Sequence, residues 1–301
     1  MIEGSIVALV TPMALDGSVD YQSLAALVEW HVASGTNAIV AVGTTGESAT
    51  LSVEEHCEVI RETVRFSAGR VPVIAGTGAN STTEAIEWTQ AAKDAGADAC
   101  LLVTPYYNKP SQRGLIAHHI RIAESVAIPQ ILYNVPGRTA CDMLPDTVVA
   151  LASVPNIVGV KEATGNIGRG RELLARCPQD FAVYSGDDAT ALELILLGAK
   201  GNISVTANVA PAQMAKICRL GLLSHAASGS EQEKLAKQAR ELNEKIALLH
   251  QDLFLEANPV PVKWALAKMG KMTGTLRLPL VELDEKFHSR LATTLQSTGV
   301  L

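Results

Sequence analysis

Eight short runs of aliphatic and β-branched residues recur along the chain at helix-length intervals, at 5–10, 38–42, 71–75, 99–103, 130–133, 157–160, 181–184 and 202–205. Their near-continuous hydrophobicity, without polar alternation, marks strands covered on both faces, as in a parallel sheet. Between them lie amphipathic segments. In 21–34, Leu24, Leu27, Val28 and His31 recur at helical spacing, and 53–65, 83–95, 114–125 and 191–197 follow the same pattern. Ser52 ahead of Glu55 reads as a capping box, Asp146 and Asp188 stand at later helix starts, and Gly35, Gly96 and Gly198 close helices. Eight strand–helix units in about 220 residues predict a (β/α)8 TIM barrel, and the count favours it over an open doubly wound sheet. Beyond Gly221 the strand pattern stops, leaving helical sequence at 230–250, 262–269 and 283–295 with a break at Pro259 and Pro261. The expected organisation is a barrel over 1–221 and a C-terminal helical domain over 222–301.

Composition narrows the partners. The 31 Asp and Glu outnumber the 25 Lys and Arg, for a formal charge of −6. Counterion release on a nucleic acid needs clustered bases. The pair Arg169 and Arg171 beside Glu172 falls short of a basic run of roughly five to eight residues, so no nucleic acid is expected. The apolar run 6–10 is far shorter than the ~20 residues of a membrane helix, and it lacks the basic start of a signal peptide. The five cysteines, at 57, 100, 141, 177 and 218, are odd in number and form no Cys-x-x-Cys pair, as expected of reduced thiols in a cytoplasmic protein.

In a barrel of this kind the chemistry sits at the C-terminal ends of the strands. Of the twelve lysines, Lys161 alone directly continues an apolar strand, Ile157-Val158-Gly159-Val160. A desolvated ammonium loses its proton readily, giving the neutral amine that attacks a carbonyl to form a Schiff base. A structural ion pair with Asp187 or Glu47 is the alternative. Glu162 belongs on the opposite strand face, behind the site. Tyr133, at the end of the neighbouring strand, can carry protons during addition and loss of water or simply pack there with one hydrogen bond. Gly43-Thr44-Thr45-Gly46, rich in hydroxyls and free amides ahead of a capped helix, suits a carboxylate. Asp187 and Asp188 read as caps of the next helix. Other motifs fail: Gly76-Thr77-Gly78 lacks the third glycine of a dinucleotide fingerprint, and no Gly-Lys-Ser/Thr phosphate loop is present. His118 and His119 would diverge on a helix, and no metal or cofactor is expected.

The strings Gly43-Thr44-Thr45-Gly46-Glu47-Ser48, Tyr133-Asn134-Val135-Pro136-Gly137-Arg138-Thr139 and Val160-Lys161-Glu162-Ala163 resemble the dihydrodipicolinate synthase family. The resemblance spans nearly the whole chain. The first and last motifs are shared with the wider pyruvate-dependent aldolases, including N-acetylneuraminate lyase, whereas Pro-Gly-Arg-Thr is the narrower signal. It implies that Lys161 forms an imine with pyruvate, whose enamine attacks L-aspartate 4-semialdehyde. It further implies a proton relay of Tyr133, Thr44 and Tyr107, with Tyr107 reaching into a neighbouring subunit's site. Thr45 would hold the pyruvate carboxylate and Arg138 that of the semialdehyde, with Gly186 and Ile203 contributing backbone carbonyls near the substrate. A homotetramer built as a dimer of dimers is implied, as is an L-lysine effector site at Ser48, Ala49, His56, Asn80, Glu84 and Tyr106. Val53 departs from the histidine of a lysine-sensitive form and removes a polar contact there. The alternatives are a Schiff-base aldolase acting on a sugar acid or hydroxy-oxo acid, and a non-catalytic barrel that binds an amino or oxo acid.

Overall fold

The apolar runs form eight parallel strands, β1 (Gly4–Ala8), β2 (Ala38–Ala41), β3 (Val73–Gly76), β4 (Ala99–Val103), β5 (Gln130–Asn134), β6 (Ile157–Glu162), β7 (Ala182–Ser185) and β8 (Gly201–Ser204). They pair in chain order and β8 closes on β1, giving a (β/α)8 barrel. The computed structural model describes residues 1–301. The outer layer is α1 (Tyr21–Ala33), α2 (Val53–Ser67), α3 (Thr82–Asp94), α4 (Gln112–Ser125), the short α5 (Pro136–Thr139), α6 (Pro145–Leu151), α7 (Ile167–Arg176), α8 (Ala191–Leu196) and α9 (Pro211–Ala226). Three further helices follow: α10 (Gly229–Asp252), α11 (Val260–Lys268) and α12 (Glu285–Ser297). No helix is long and apolar enough to cross a membrane.

Two apolar layers explain why the strands read as continuous hydrophobic runs. One fills the barrel interior with Ile6, Val40, Ile74, Leu101, Ile131, Tyr133, Tyr184 and Ile203, and the other lies between strands and helices. A side chain on either strand face is therefore buried. The extension shares the outer layer, since Ile246, Leu249, Val260, Val262 and Leu266 join Val7, Leu9 and Val42 in one cluster.

Local signals fix several helix ends. Ser52 and Glu55 exchange both bonds of a capping box at the start of α2, and Gly35, Gly96 and Gly198 follow helices at φ of +82°, +87° and +121°. Three expectations are corrected. Asp146 lies inside the first turn of α6, behind Pro145, and Leu144 holds the cap position. Asp188 is no cap: its buried carboxylate accepts from Asn202 Nδ2 at 2.7 Å, Val205 N at 3.0 Å and Thr206 N at 2.8 Å, tying the loop after β7 to β8. His118 and His119 do not diverge in environment; both are buried, with ring centroids 4.9 Å apart and edge-on, because α4 is covered on two sides.

Candidate active site

Strand register brings the chemistry together. Tyr133 on β5 is level with Lys161 on β6, and Lys161 is level with Tyr184 on β7, so all three side chains enter the barrel on the same face. Lys161 is only 6% exposed. Its Nζ lies 4.3 Å from the centroid of the Tyr133 ring, and no carboxylate comes within 4.0 Å of it. Both partners of the ion-pair alternative are engaged elsewhere. Glu47 binds Lys263 at 2.5 Å, and Asp187 Oδ1 accepts from Thr190 N at 3.0 Å and from Thr190 Oγ1 at 2.7 Å. Gly186 leaves room for the lysine stem: a Cβ there would stand 2.8 Å from Lys161 Cε and 3.0 Å from Cγ. Ile203 is buried in the same interior layer as Tyr133. Glu162 faces away, with Oε2 accepting from Asn134 Nδ2 at 3.2 Å and Oε1 from Thr164 N at 2.8 Å.

The loop after β2 forms the opposite wall. Thr44 and Tyr133 line a pocket of about 40 Å³ together with Ser48 and His56. A larger cavity of about 720 Å³ shares Thr44 and Ser48 and extends to Ala49, Val53, Glu84, Trp88, Tyr106, Arg138 and Asn258. Glu47 takes a left-handed backbone, φ +55°, to turn this loop, and its carboxylate is buried in it.

Three residues of the C-terminal extension, without a signal among the strand-end motifs, hold this wall. Asn258 Nδ2 donates to Thr45 Oγ1 at 2.9 Å, and the Asn258 carbonyl accepts from Arg138 Nη2 at 3.1 Å. Lys263, with no exposed side-chain surface, reaches Glu47 and donates to the Thr11 carbonyl at 3.1 Å. Burial pulls the Lys263 ammonium below the ordinary lysine value, and Glu47 opposes that shift. Arg277 donates its backbone N–H to Glu47 Oε2 at 3.2 Å and its guanidinium to the Thr50 carbonyl at 2.9 Å and to Glu55 at 2.5 Å. That hydrogen bonding holds the Glu55 carboxyl down to about 2. Lys263 was visible in sequence as a lone charge inside the apolar stretch Val260 to Leu266. Asn258 carried no such signal.

The residues implied for an effector are brought together in part. Ser48, Ala49, Glu84 and Tyr106 line the larger cavity, next to Val53 and Trp88. His56 stacks on Trp88 at 4.7 Å between centroids, and its Nε2 lies 2.8 Å from the Gly76 carbonyl. Burial lowers its pKa. Burial raises that of Tyr106, with Glu84 adding to the effect. Asn80 lies off the cavity, its carbonyl accepting from Asn108 Nδ2 at 2.8 Å. Tyr107 lines neither cavity and is 90% exposed, at φ +73°.

With this geometry, residues 1–298 match the model of the dihydrodipicolinate synthetase family. The chain belongs to that family. It is 62% identical over 301 residues, covering all of both chains, to the 4-hydroxy-tetrahydrodipicolinate synthase of Stutzerimonas stutzeri. Among solved structures, the chloride-inhibited dihydrodipicolinate synthase of Acinetobacter baumannii complexed with pyruvate superposes with a TM-score of 0.96, at 57% identity over all of both chains. The enzyme of Cyanidioschyzon merolae with lysine bound superposes at 0.93, with 38% identity over 100% of this chain and 99% of that one.

Proposed function

We propose that the protein is a 4-hydroxy-tetrahydrodipicolinate synthase, condensing pyruvate with L-aspartate 4-semialdehyde through a Schiff base on Lys161. The observation that carries this reading is the buried Lys161 amine, free of any carboxylate, beside Tyr133 at the barrel mouth. With no carboxylate to hold it in an ion pair, the amine is free to add to a carbonyl carbon. The amine adds to the pyruvate carbonyl, and the carbinolamine loses water to give the imine. We assign Tyr133, beside Lys161, to move protons in these steps, with Thr44 of the same pocket passing them on. Loss of a methyl proton gives the enamine, whose carbon attacks the aldehyde carbon of the semialdehyde; the imine re-forms on Lys161 and the aldehyde oxygen takes up a proton to become a hydroxyl. The substrate's own amine then displaces Lys161, closing the ring and freeing the enzyme.

Thr45, beside Asn258, is assigned to the pyruvate carboxylate, and the backbone carbonyls of Gly186, which packs on the Lys161 stem, and of Ile203 to the substrate. Arg138 lines the larger cavity and is the group for the carboxylate of the second substrate. The pyruvate complex of the Acinetobacter baumannii relative supports the first substrate. An assay offering pyruvate with aspartate 4-semialdehyde or with sugar-acid acceptors tests the reading. Turnover is expected with the semialdehyde alone, and Arg138→Ala is expected to raise the KM for the semialdehyde at least tenfold while leaving imine formation with pyruvate intact. Turnover only with sugar-acid acceptors would overturn it.

Tyr107, exposed and in a left-handed backbone, completes the relay of a neighbouring subunit within a homotetramer assembled as a dimer of dimers. The Ser48, Ala49, Glu84 and Tyr106 wall is assigned to L-lysine, with His56 and Asn80 at its margin, in line with the lysine-bound relative. Val53 presents an apolar face there, so inhibition by lysine is expected to be weak. Five unpaired cysteines fit work in the reducing cytoplasm.

A further inference from the structure

We infer that Asn258, from the C-terminal extension, is a positioning residue that sets Thr45 as a hydrogen-bond donor and links it to Arg138. The inference rests on the proposed function, in which Thr45 and Arg138 hold the carboxylates of the two substrates. A threonine hydroxyl has one proton and two lone pairs and can face a neighbour as donor or acceptor. At Thr45 that choice is made: Asn258 Nδ2 donates to Oγ1 at 2.9 Å, so the hydroxyl proton is directed elsewhere. A carboxylate accepts and never donates. The contact therefore leaves Thr45 in the one state that suits a carboxylate.

The same residue reaches the second anion holder. Arg138 Nη2 donates to the Asn258 backbone carbonyl at 3.1 Å, which removes freedom from a long side chain at the cavity edge. Asn258 is itself fixed, 6% exposed, with its chain position set by α11 and by the buried Lys263–Glu47 pair that anchors that helix. One residue outside the eight strand–helix units thus spans the distance between the two carboxylate sites. Its two contacts differ in kind, and this makes them separable: substitution of the side chain alters the Thr45 contact and spares the backbone contact to Arg138.

The test is steady-state kinetics on the full chain with Asn258→Asp, Asn258→Ala and Thr45→Val, each checked for unchanged thermal unfolding. Asp is nearly isosteric but can only accept, so it turns the Thr45 proton toward itself and adds a charge beside the ligand carboxylate. We expect Asn258→Asp to raise the KM for pyruvate about 30-fold or more, with kcat at saturating pyruvate and the KM for the semialdehyde changed much less. Asn258→Ala, which removes the donor without adding charge, is expected to raise it about fivefold. In the Asn258→Ala/Thr45→Val double variant the two effects should not add, because Asn258 acts through Thr45. Additive effects, or a wild-type KM in both Asn258 variants alongside a raised KM in Thr45→Val, would overturn the positioning role alone. A wild-type KM for pyruvate in Thr45→Val would instead remove the reading on which it rests. If Asn258→Asp fails to fold, Asn258→Ala and the double variant decide the matter on the same readings.

Discussion

At the scale of single residues, two buried lysines of one chain have opposite fates. Lys161 lies beside an aromatic ring without a carboxylate, and Lys263 is locked to Glu47 with neither side chain exposed. The second pair is structural, and its removal tests that assignment. Lys263→Met leaves the Glu47 charge buried without its partner and is expected to cost about 3–5 kcal/mol in urea unfolding. Adding Glu47→Gln to that variant should recover much of the loss, because no unpaired charge remains. Lys161 was legible in the sequence because it interrupts an apolar strand where barrels carry their chemistry. The choice between imine and ion pair was not, since both need a buried lysine and only the positions of Glu47 and Asp187 separate them. Asn258 was illegible for another reason: its partners, Thr45 and Arg138, lie 213 and 120 positions away.

At the scale of elements, helix α4 carries an acid liability. His119 is fully buried with neither ring nitrogen bonded, and burial lowers its pKa to about 3. Its neighbour His118, bonded to Thr82 Oγ1 at 2.9 Å, is lowered to about 4 by the same cause. In the unfolded chain each takes up a proton near pH 6.5. The folded state stays neutral until the pH is far lower, so the stability these groups confer is complete above pH 6.5 and is lost as the pH falls toward 4. Each histidine contributes a slope of up to about 1.4 kcal/mol per pH unit in that window. Thermal unfolding followed from pH 7 to 4.5 should show Tm falling less steeply in His119→Leu than in the parent, and parallel curves would contradict the assignment. The strands were readable from β-branched runs covered on both faces, whereas Asp146 and Asp188 were misread because an acidic residue near a helix start caps it only if the backbone turns there. Pro145 moves that turn for Asp146, and the end of β8 claims the Asp188 carboxylate.

At the scale of the whole molecule, the barrel count was legible because each unit repeats the same pattern. The role of the extension was not, because packing against the loop after β2 leaves no periodic trace. Net charge, −6 over 301 residues, bears on solubility, and the site draws on local donors instead. The assembly leads to a prediction of its own. Tyr107 is 90% exposed, and its proposed place is the proton relay of the neighbouring subunit. Lys161→Ala and Tyr107→Phe protomers, both impaired alone, should regain activity when unfolded and refolded together, since a mixed dimer contains one site with both groups intact. Activity no higher than the sum of the parents would place Tyr107 outside the relay.

Imine formation between Lys161 and pyruvate is the step on which every other residue role depends. Borohydride reduction of the protein in the presence of pyruvate, followed by peptide mass spectrometry, tests it without need of the second substrate. A single reduced pyruvate adduct on Lys161, absent without pyruvate and in Lys161→Ala, is the predicted result. Full turnover with no adduct on Lys161, or an adduct on another lysine such as Lys263, would contradict it.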